Sequence, residues 1–315
     1  MGQTIAEKIL AAHGGLEAVR AGDVVVAAVD FAMLHDARAS NALKMISRLG
    51  SGKGEVPLPF AAKTALVLDH YSPPPNIEAA NVHRDMRAFA DRYGTVLYDV
   101  GDGICHQVMP EGGHLTCGDL IVGTDTHSVT YGAFNAFGTG VEGTDLSAVM
   151  MTGKLWFRVP QTIRIELTGR LQPGVWAKDI TLTMLGRFGA EGANYRALEY
   201  TGSAVSAMEI DDRMTLSNHA AELGAKAAIL EADEKTFVWL KAHNAQGFIG
   251  EYGVPNDDPR WQTVLDNFLT RMDSEGIGGT YWAGGPWWGD YRLSVEPVNN
   301  QDKPVMKILV NHLSK

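Results

Sequence analysis

Two histidines in this sequence stand beside aspartates, as Asp69-His70 and as Asp125-Thr126-His127. A carboxylate next to an imidazole can orient the ring and raise its pKa, which suits the pair to general acid–base work. A third histidine, His106, ends the stretch Thr95-Val-Leu-Tyr-Asp-Val-Gly-Asp-Gly-Ile-Cys-His106. Each of the three follows a short apolar run: Thr64 to His70, Thr95 to His106 and Asp119 to His127. Such runs read as β-strands that deliver a histidine at the carboxyl end. In α/β proteins, ligands bind outside the carboxyl ends of strands. Three acid–base groups placed this way predict one polar site. Glu199, in Ala197-Leu-Glu-Tyr200, is a further acid–base candidate, and its plainer reading is a solvated strand position. His13, His83, His114, His243 and His312 lack such a context and read as structural or surface residues.

The elements that must position these groups alternate between strand and helix. Thr4-Ile-Ala-Glu7 has the form of a capping box, in which the hydroxyl accepts a backbone N–H and the glutamate reaches back. The helix it opens is predicted to end at Gly14-Gly15. Val24 to Val29 reads as a short buried strand, leading into Phe31-Ala-Met-Leu-His-Asp36 and then a helix through Met45-Ile46. Tyr71-Ser-Pro-Pro-Pro75 stops regular structure after His70. Apolar spacing predicts a helix from Ile77 to Tyr93, ended by Gly94. Tyr131 to Gly140 is rich in Gly and Ala, which lets a helix or loop lie close against its neighbours. Thr162 to Leu167 alternates as a half-exposed strand does, and Asp179–Phe188 and Asn218–Leu223 look helical. The pattern predicts an α/β fold of α/β/α layers around a mainly parallel sheet.

With 315 residues, 45% of them hydrophobic, the chain can fill one large or two ordinary domains. A net charge of -10 argues against nucleic-acid or anionic-membrane partners, which select basic surfaces. No apolar run is long enough to predict a spanning helix, and the first residues lack a secretory pattern, so the chain is read as cytoplasmic. Cys105 and Cys117 are the only cysteines and read as reduced thiols. They are too few for a self-contained iron–sulfur or structural zinc site, so no metal ligands are assigned. From Gly247 onward the composition shifts to clustered Gly, Trp, Asn and Pro without periodicity.

Several motifs together resemble one family. Val122-Gly-Thr-Asp-Thr-His-Ser128, Tyr131-Gly-Ala-Phe134 and Gly138-Thr-Gly140 are similar to the Asp-Ser-His signature of the aconitase superfamily. Gly103-Ile-Cys-His-Gln-Val108, Gly153 to Pro160, Asp211 to Thr215 and Ala221 to Lys226 resemble it as well. The nearest likeness is to the large subunits of 3-isopropylmalate dehydratase and homoaconitase, over residues 4 to 245. The resemblance implies two similar lobes, with residues 1–285 forming the aconitase-type region and 286–315 a divergent tail. It implies a hydro-lyase of amino-acid biosynthesis acting on a hydroxy di- or tricarboxylate. A [4Fe–4S] cluster with one open iron would serve there as Lewis acid. By match of position, Asp69, His70, His106, Asp125, His127 and Glu199 take catalytic places. His35 and Thr126 take substrate-side places, Thr126 where the family usually has Ser.

The family's cluster cysteines lie in a Gly-Ser-Cys-Thr-Asn segment and a Cys-x-x-Cys segment, and this sequence has neither. Ser217-Asn-His219 also stands where the family usually reads Cys-Asn-Met. The expectation is therefore an incomplete large subunit, inactive alone and dependent on a small subunit and a cluster-bearing segment. The alternative is a non-catalytic binding or assembly protein that keeps the lobe fold. Tyr281, Trp282, Trp287 and Trp288 form an aromatic group that reads as an interface or as a local packing knot.

Overall fold

A computed structural model describes residues 2–50, 56–243, 248–275, 278–281, 283–284 and 291–312. The chain divides into two compact units, Met1–Ala245 and Gln246–Lys315. That break coincides with the change of composition near Gly247 and not with the boundary after residue 285 that the resemblance implies.

The first unit opens with α1 (Ile5–Gly14), β1 (Val24–Ala28), β2 (Phe31–His35) and α2 (Asp36–Gly50). It continues with β3 (Thr64–Val67), α3 (Ile77–Tyr93), β4 (Val96–Tyr98), α4 (Cys105–Glu111) and β5 (Leu120–Gly123). A 3-10 segment, Thr126–Phe134, leads to β6 (Phe137–Gly140), α5 (Gly143–Thr152), β7 (Lys154–Arg158) and β8 (Gln161–Glu166). The rest is α6 (Ala177–Phe188), β9 (Arg196–Thr201), α7 (Ser203–Ala207), α8 (Ile210–Asn218), β10 (Ala227–Leu230) and α9 (Glu234–Ala242).

Five parallel strands form the main sheet in the order β4-β3-β2-β5-β6. Both of its faces are covered, which is why these strands read as continuous apolar runs. Ala32, Leu34, Leu66, Leu68, Leu120 and Val122 pack on one face with Ala39, Met86 and Val149 of the helices. Their neighbours Met33, Ala65, Val67 and Ile121 pack on the other, with Met109, Tyr131 and Phe134. This strict alternation is the two-residue period of a strand, and it produces the expected α/β/α layering. A smaller parallel sheet runs β10-β9-β8.

Chain order reverses direction between β2 and β5, which lie side by side. That is the switch point at which open α/β sheets hold ligands. The segment Phe31 to His35 supplies this central strand, although periodicity alone does not single it out.

Local signals place several elements well. Thr4 and Glu7 form the capping box of α1, and Gly15 closes the helix in the left-handed conformation at φ 64°. Asn76 accepts the Ala79 N–H at the start of α3, and Gly94, at φ 69°, ends it. One strand differs from expectation. β1 is not buried on both faces but, among the described residues, pairs antiparallel with β7 alone, leaving Val24 67% exposed while Val25 is 2% exposed. An apolar run without polar alternation cannot reveal that one side lacks a cover.

In the second unit, β11 (Phe248–Tyr252) pairs in parallel with β12 (Gly278–Tyr281), beside α10 (Pro259–Glu275) and α11 (Val305–Asn311). Val254, Leu265, Leu269, Met272 and Val305 form its own core. Tyr281 belongs to that packing: its hydroxyl donates to the Val254 carbonyl at 3.1 Å and its ring meets Tyr252 edge-on. Trp282, Trp287 and Trp288 lie outside the described residues.

Candidate active site

The carboxyl ends of β2, β3 and β5 deliver His35, Asp69-His70 and Asp125-Thr126-His127 to one place. Asp125 is the centre. Its Oδ2 bonds to Nε2 of His70 at 3.1 Å, and its Oδ1 bonds to Nε2 of His106 at 3.0 Å. The same Oδ1 accepts the backbone N–H of His127 at 2.7 Å, so Asp125 also caps the 3-10 segment that carries His127. One carboxylate thus fixes three histidines that lie far apart in sequence.

His106 arrives differently from the sequence expectation. β4 ends at Tyr98, and His106 stands on the first turn of α4 rather than at the tip of a strand. Asp69 connects the two elements. Its Oδ1 bonds to Nδ1 of His70 at 2.7 Å, and its Oδ2 accepts the Cys105 N–H at 2.7 Å, which holds the start of α4 in place.

His35 is buried, with its ring stacked on that of His70 at 4.0 Å between centroids. Its Nε2 bonds to the Thr124 carbonyl at 3.1 Å and its N–H donates to Oγ1 of Thr124. Thr126 lies beside His127, 3.4 Å from its Nδ1. Nδ1 of His35 and Nδ1 of His106 are buried without a hydrogen-bond partner among the described residues. A bound ligand would satisfy such atoms, and leaving each unmet costs about 1–3 kcal/mol.

The glutamate is the main correction. Glu199 lies in the middle of β9, and its carboxylate accepts the Ala6 N–H at 3.1 Å. It therefore serves the start of α1, where burial pushes its pKa up. The carboxylate that reaches the histidines is Glu222, whose Oε1 lies 3.2 Å from Nε2 of His127. Glu222 sits in the 3-10 turn His219–Leu223 after α8. Its segment resembles the family, but no local signal separates it from any other helical glutamate.

Two more residues support the site without a signature in the sequence. Asp36, at the start of α2, is buried and accepts the backbone N–H groups of His70 and Tyr71 at 3.1 and 2.9 Å. His83 of α3 bonds to the same carboxylate at 2.9 Å. This buried pair holds the turn after β3 and hence the histidine on it. His83 is structural, as expected, but its structural task is the active-site turn. His13, His114 and His243 hydrogen-bond to Asp30, Tyr98 and the Trp239 carbonyl respectively.

Electrostatics set the protonation states. Hydrogen bonds from Asp125 and then Asp69 push the His70 pKa up to about 10 against the opposing effect of burial, so its ring is protonated at neutral pH. Hydrogen bonding to Asp125, and secondarily to Glu222, also raises the His127 pKa. Burial works against Asp125, but its three histidine partners outweigh it and hold the carboxyl far below its usual range. Burial lowers the pKa of His35, and the charge of His70 lowers it further. The site thus holds a cationic ring stacked on one that stays neutral, a division of roles suited to acid–base chemistry.

Two groups bring metal-type ligand atoms within 4.8 Å of one another: His35, Asp36, Asp69 and His70, and His106, Asp125 and His127. In both, the carboxylates already accept two or three hydrogen bonds.

The aconitase family model (aconitate hydratase) matches residues 7–253. The chain is 45% identical over 276 residues to 3-isopropylmalate dehydratase large subunit 1 of Methanopyrus kandleri, covering 87% of this chain and 64% of that protein. It is 43% identical over 273 residues to 3-isopropylmalate dehydratase large subunit 1 of Thermotoga maritima, covering 87% and 63%. It is 40% identical over 270 residues to a probable methanogen homoaconitase large subunit of Methanothermobacter thermautotrophicus, covering 85% and 62%. The chain therefore spans about three-fifths of the length of these relatives.

Proposed function

Because the chain belongs to the aconitase family, we propose that it carries the acid–base half of a hydro-lyase site for a hydroxy di- or tricarboxylate. The observation that carries this reading is the convergence of His70, His106 and His127 on Asp125, at the switch point of the main sheet. Elimination of water needs a proton for the leaving hydroxyl. His70, held cationic by Asp125 and Asp69, supplies it from Nε2, whose 3.1 Å bond to Asp125 is the longer of its two and gives way to the substrate hydroxyl. The C–O bond breaks as that hydroxyl leaves as water. The proton on the neighbouring carbon goes to a base that this proposal assigns to the partner subunit, because the His70 ring already carries its proton. Glu222 orients His127 through Nε2, and the stacked neutral ring of His35 with the Thr126 hydroxyl faces the substrate. Acid–base groups of this kind contribute about 10²–10⁴-fold in rate.

The family implies a [4Fe–4S] cluster as Lewis acid. The thiols of this chain do not fit one. Cys105 is 1% exposed behind Asp69, and burial with that nearby charge pushes its thiol pKa up. Burial pushes Cys117 up to about 12. Thiolates are the form that binds iron, and two protonated thiols cannot supply the set a cluster needs. No step is therefore routed through a cluster. Relatives named large subunits make a smaller partner subunit and a separate source of cluster ligands part of this proposal.

The test uses the protein with whatever partners it has. Extracts of the native host are assayed for dehydration of 3-isopropylmalate, homocitrate and citrate, then compared with extracts carrying His70→Ala in this gene. Loss of one of the three activities, with the variant still present and folded, is expected. Equal rates on all three acids would overturn the reading.

A further inference from the structure

Beside the histidine cluster lies a cavity of about 400 Å³, of which the chemistry above uses only Thr126. It shares Thr124 and Thr126 with the active-site loop and Ala221 with the turn that carries Glu222. Its floor is Thr139-Gly140 at the end of β6. Gly140 approaches the loop so closely that a Cβ there would come within 2.9 Å of the Asp125 carbonyl. The cavity and the acid–base centre are thus neighbours across a few backbone atoms.

Its charged lining is uneven in commitment. Glu142 and Asp145 are occupied in capping α5, with the Glu142 N–H donating to Asp145 Oδ2 at 3.4 Å. Arg38 is exposed and makes no ion pair or hydrogen bond among the described residues, and it stands in the first turn of α2. A cation in a first turn opposes the helix dipole, and the Asp36 carboxylate of the same turn is already taken up by His83 and two backbone N–H groups. Lys226 is half-buried and donates from Nζ to the Gly140 carbonyl at 3.0 Å. Burial lowers its pKa, while the charge of Asp145 works in the opposite direction. Thr139, 0% exposed, has a hydroxyl without a partner.

We propose that this cavity is an oxyanion subsite, in which Arg38, Lys226 and the Thr139 hydroxyl hold a carboxylate or phosphate group. This rests on the hydro-lyase reading for its place in catalysis, but not for its existence. It makes the substrate class more specific: an acid with a charged group remote from the carbons that lose water. A substrate whose remote group is a plain alkyl chain would leave Arg38 without an anion and Lys226 with only the Gly140 carbonyl and the nearby charge of Asp145.

Calorimetric titration of the full chain with citrate and with inorganic phosphate, at low salt, tests the subsite. Arg38→Gln and Lys226→Gln are each expected to weaken binding about 10-fold, the loss of one charge-assisted hydrogen bond. Glu142→Gln is expected to strengthen it, because a like charge leaves the rim. Tighter citrate than phosphate assigns the subsite to a substrate carboxylate; the reverse assigns it to a phosphorylated ligand. Both orders support it. Binding lost in His127→Asn but kept in Arg38→Gln would place the anion at the histidines and overturn the subsite. So would the absence of binding by the folded wild-type chain. Binding that survives His127→Asn while the native-host assay fails would leave the subsite standing without the hydro-lyase reading.

Discussion

Replacing Asp125 by Asn tests the core of the site. Asparagine keeps an oxygen to accept the His127 N–H, so the cap of the 3-10 segment survives. What disappears is the negative charge that His70 and His106 share. In the native chain that charge, together with Asp69, takes His70 from 6.5 to about 10. A charge-assisted hydrogen bond to a partly exposed ring is worth about 1.5 kcal/mol after allowance for solvent screening. One pKa unit corresponds to about 1.4 kcal/mol, so His70 is expected to fall by roughly one unit, with Asp69 still at 2.7 Å holding it above its ordinary value. The linkage has a definite sign. A histidine whose folded pKa is raised adds stability that is complete below 6.5 and is lost as pH rises through about 10. Asp125, whose pKa is depressed, adds stability present above 3.8 and lost as pH falls. The variant should therefore be less stable than the native chain at about pH 6, with the gap narrowing toward about pH 10. Imidazole NMR titration reads the first effect, and urea unfolding at the two pH values reads the second. A native His70 that titrates near 6.5, or equal pH slopes for the two proteins, would refute the reasoning.

Five other outcomes are expected. Glu222→Gln should lower the His127 pKa in an NMR titration, whereas Glu199→Gln should leave every histidine of the cluster unmoved. Because burial raises the Glu199 pKa, its charge opposes folding above about 4.5, and the Gln variant should melt no earlier than the native chain at neutral pH. His83→Ala leaves Asp36 buried and short of one partner, and urea unfolding should show a loss of about 1–3 kcal/mol. Gly132→Ala drives a Cβ to 1.8 Å from the Ala228 carbonyl, so the 3-10 segment and β10 must part, at a cost of about 3 kcal/mol or more in the same assay. Anaerobic reconstitution of the purified chain with iron and sulfide should yield no stoichiometric labile sulfide, since both thiols are protonated and one is enclosed.

The sequence by itself determined the features that depend on neighbours a few residues apart. Thr4 and Glu7 begin a helix because their side chains reach only across one turn, and Gly94 ends another because its own φ is left-handed. Asp69 sits against His70 because nothing but a peptide bond separates them. The apolar runs of the main sheet are visible because both faces are covered, and they announce the parallel α/β layering. Tertiary structure alone decided which distant groups meet. Glu222 lies 95 residues from His127, and only the fold of the 3-10 turn after α8 brings it there instead of Glu199. The pairing of Asp36 with His83 crosses 47 residues and depends on α3 packing against α2. The same holds for Val24, whose exposure is set by its place on the outer face of the β1–β7 pair rather than by its own apolar side chain. Local chemistry fixes backbone conformation within a turn or so, while the cost or benefit of a charge is set by what packs around it, and that is known only when the chain has closed on itself.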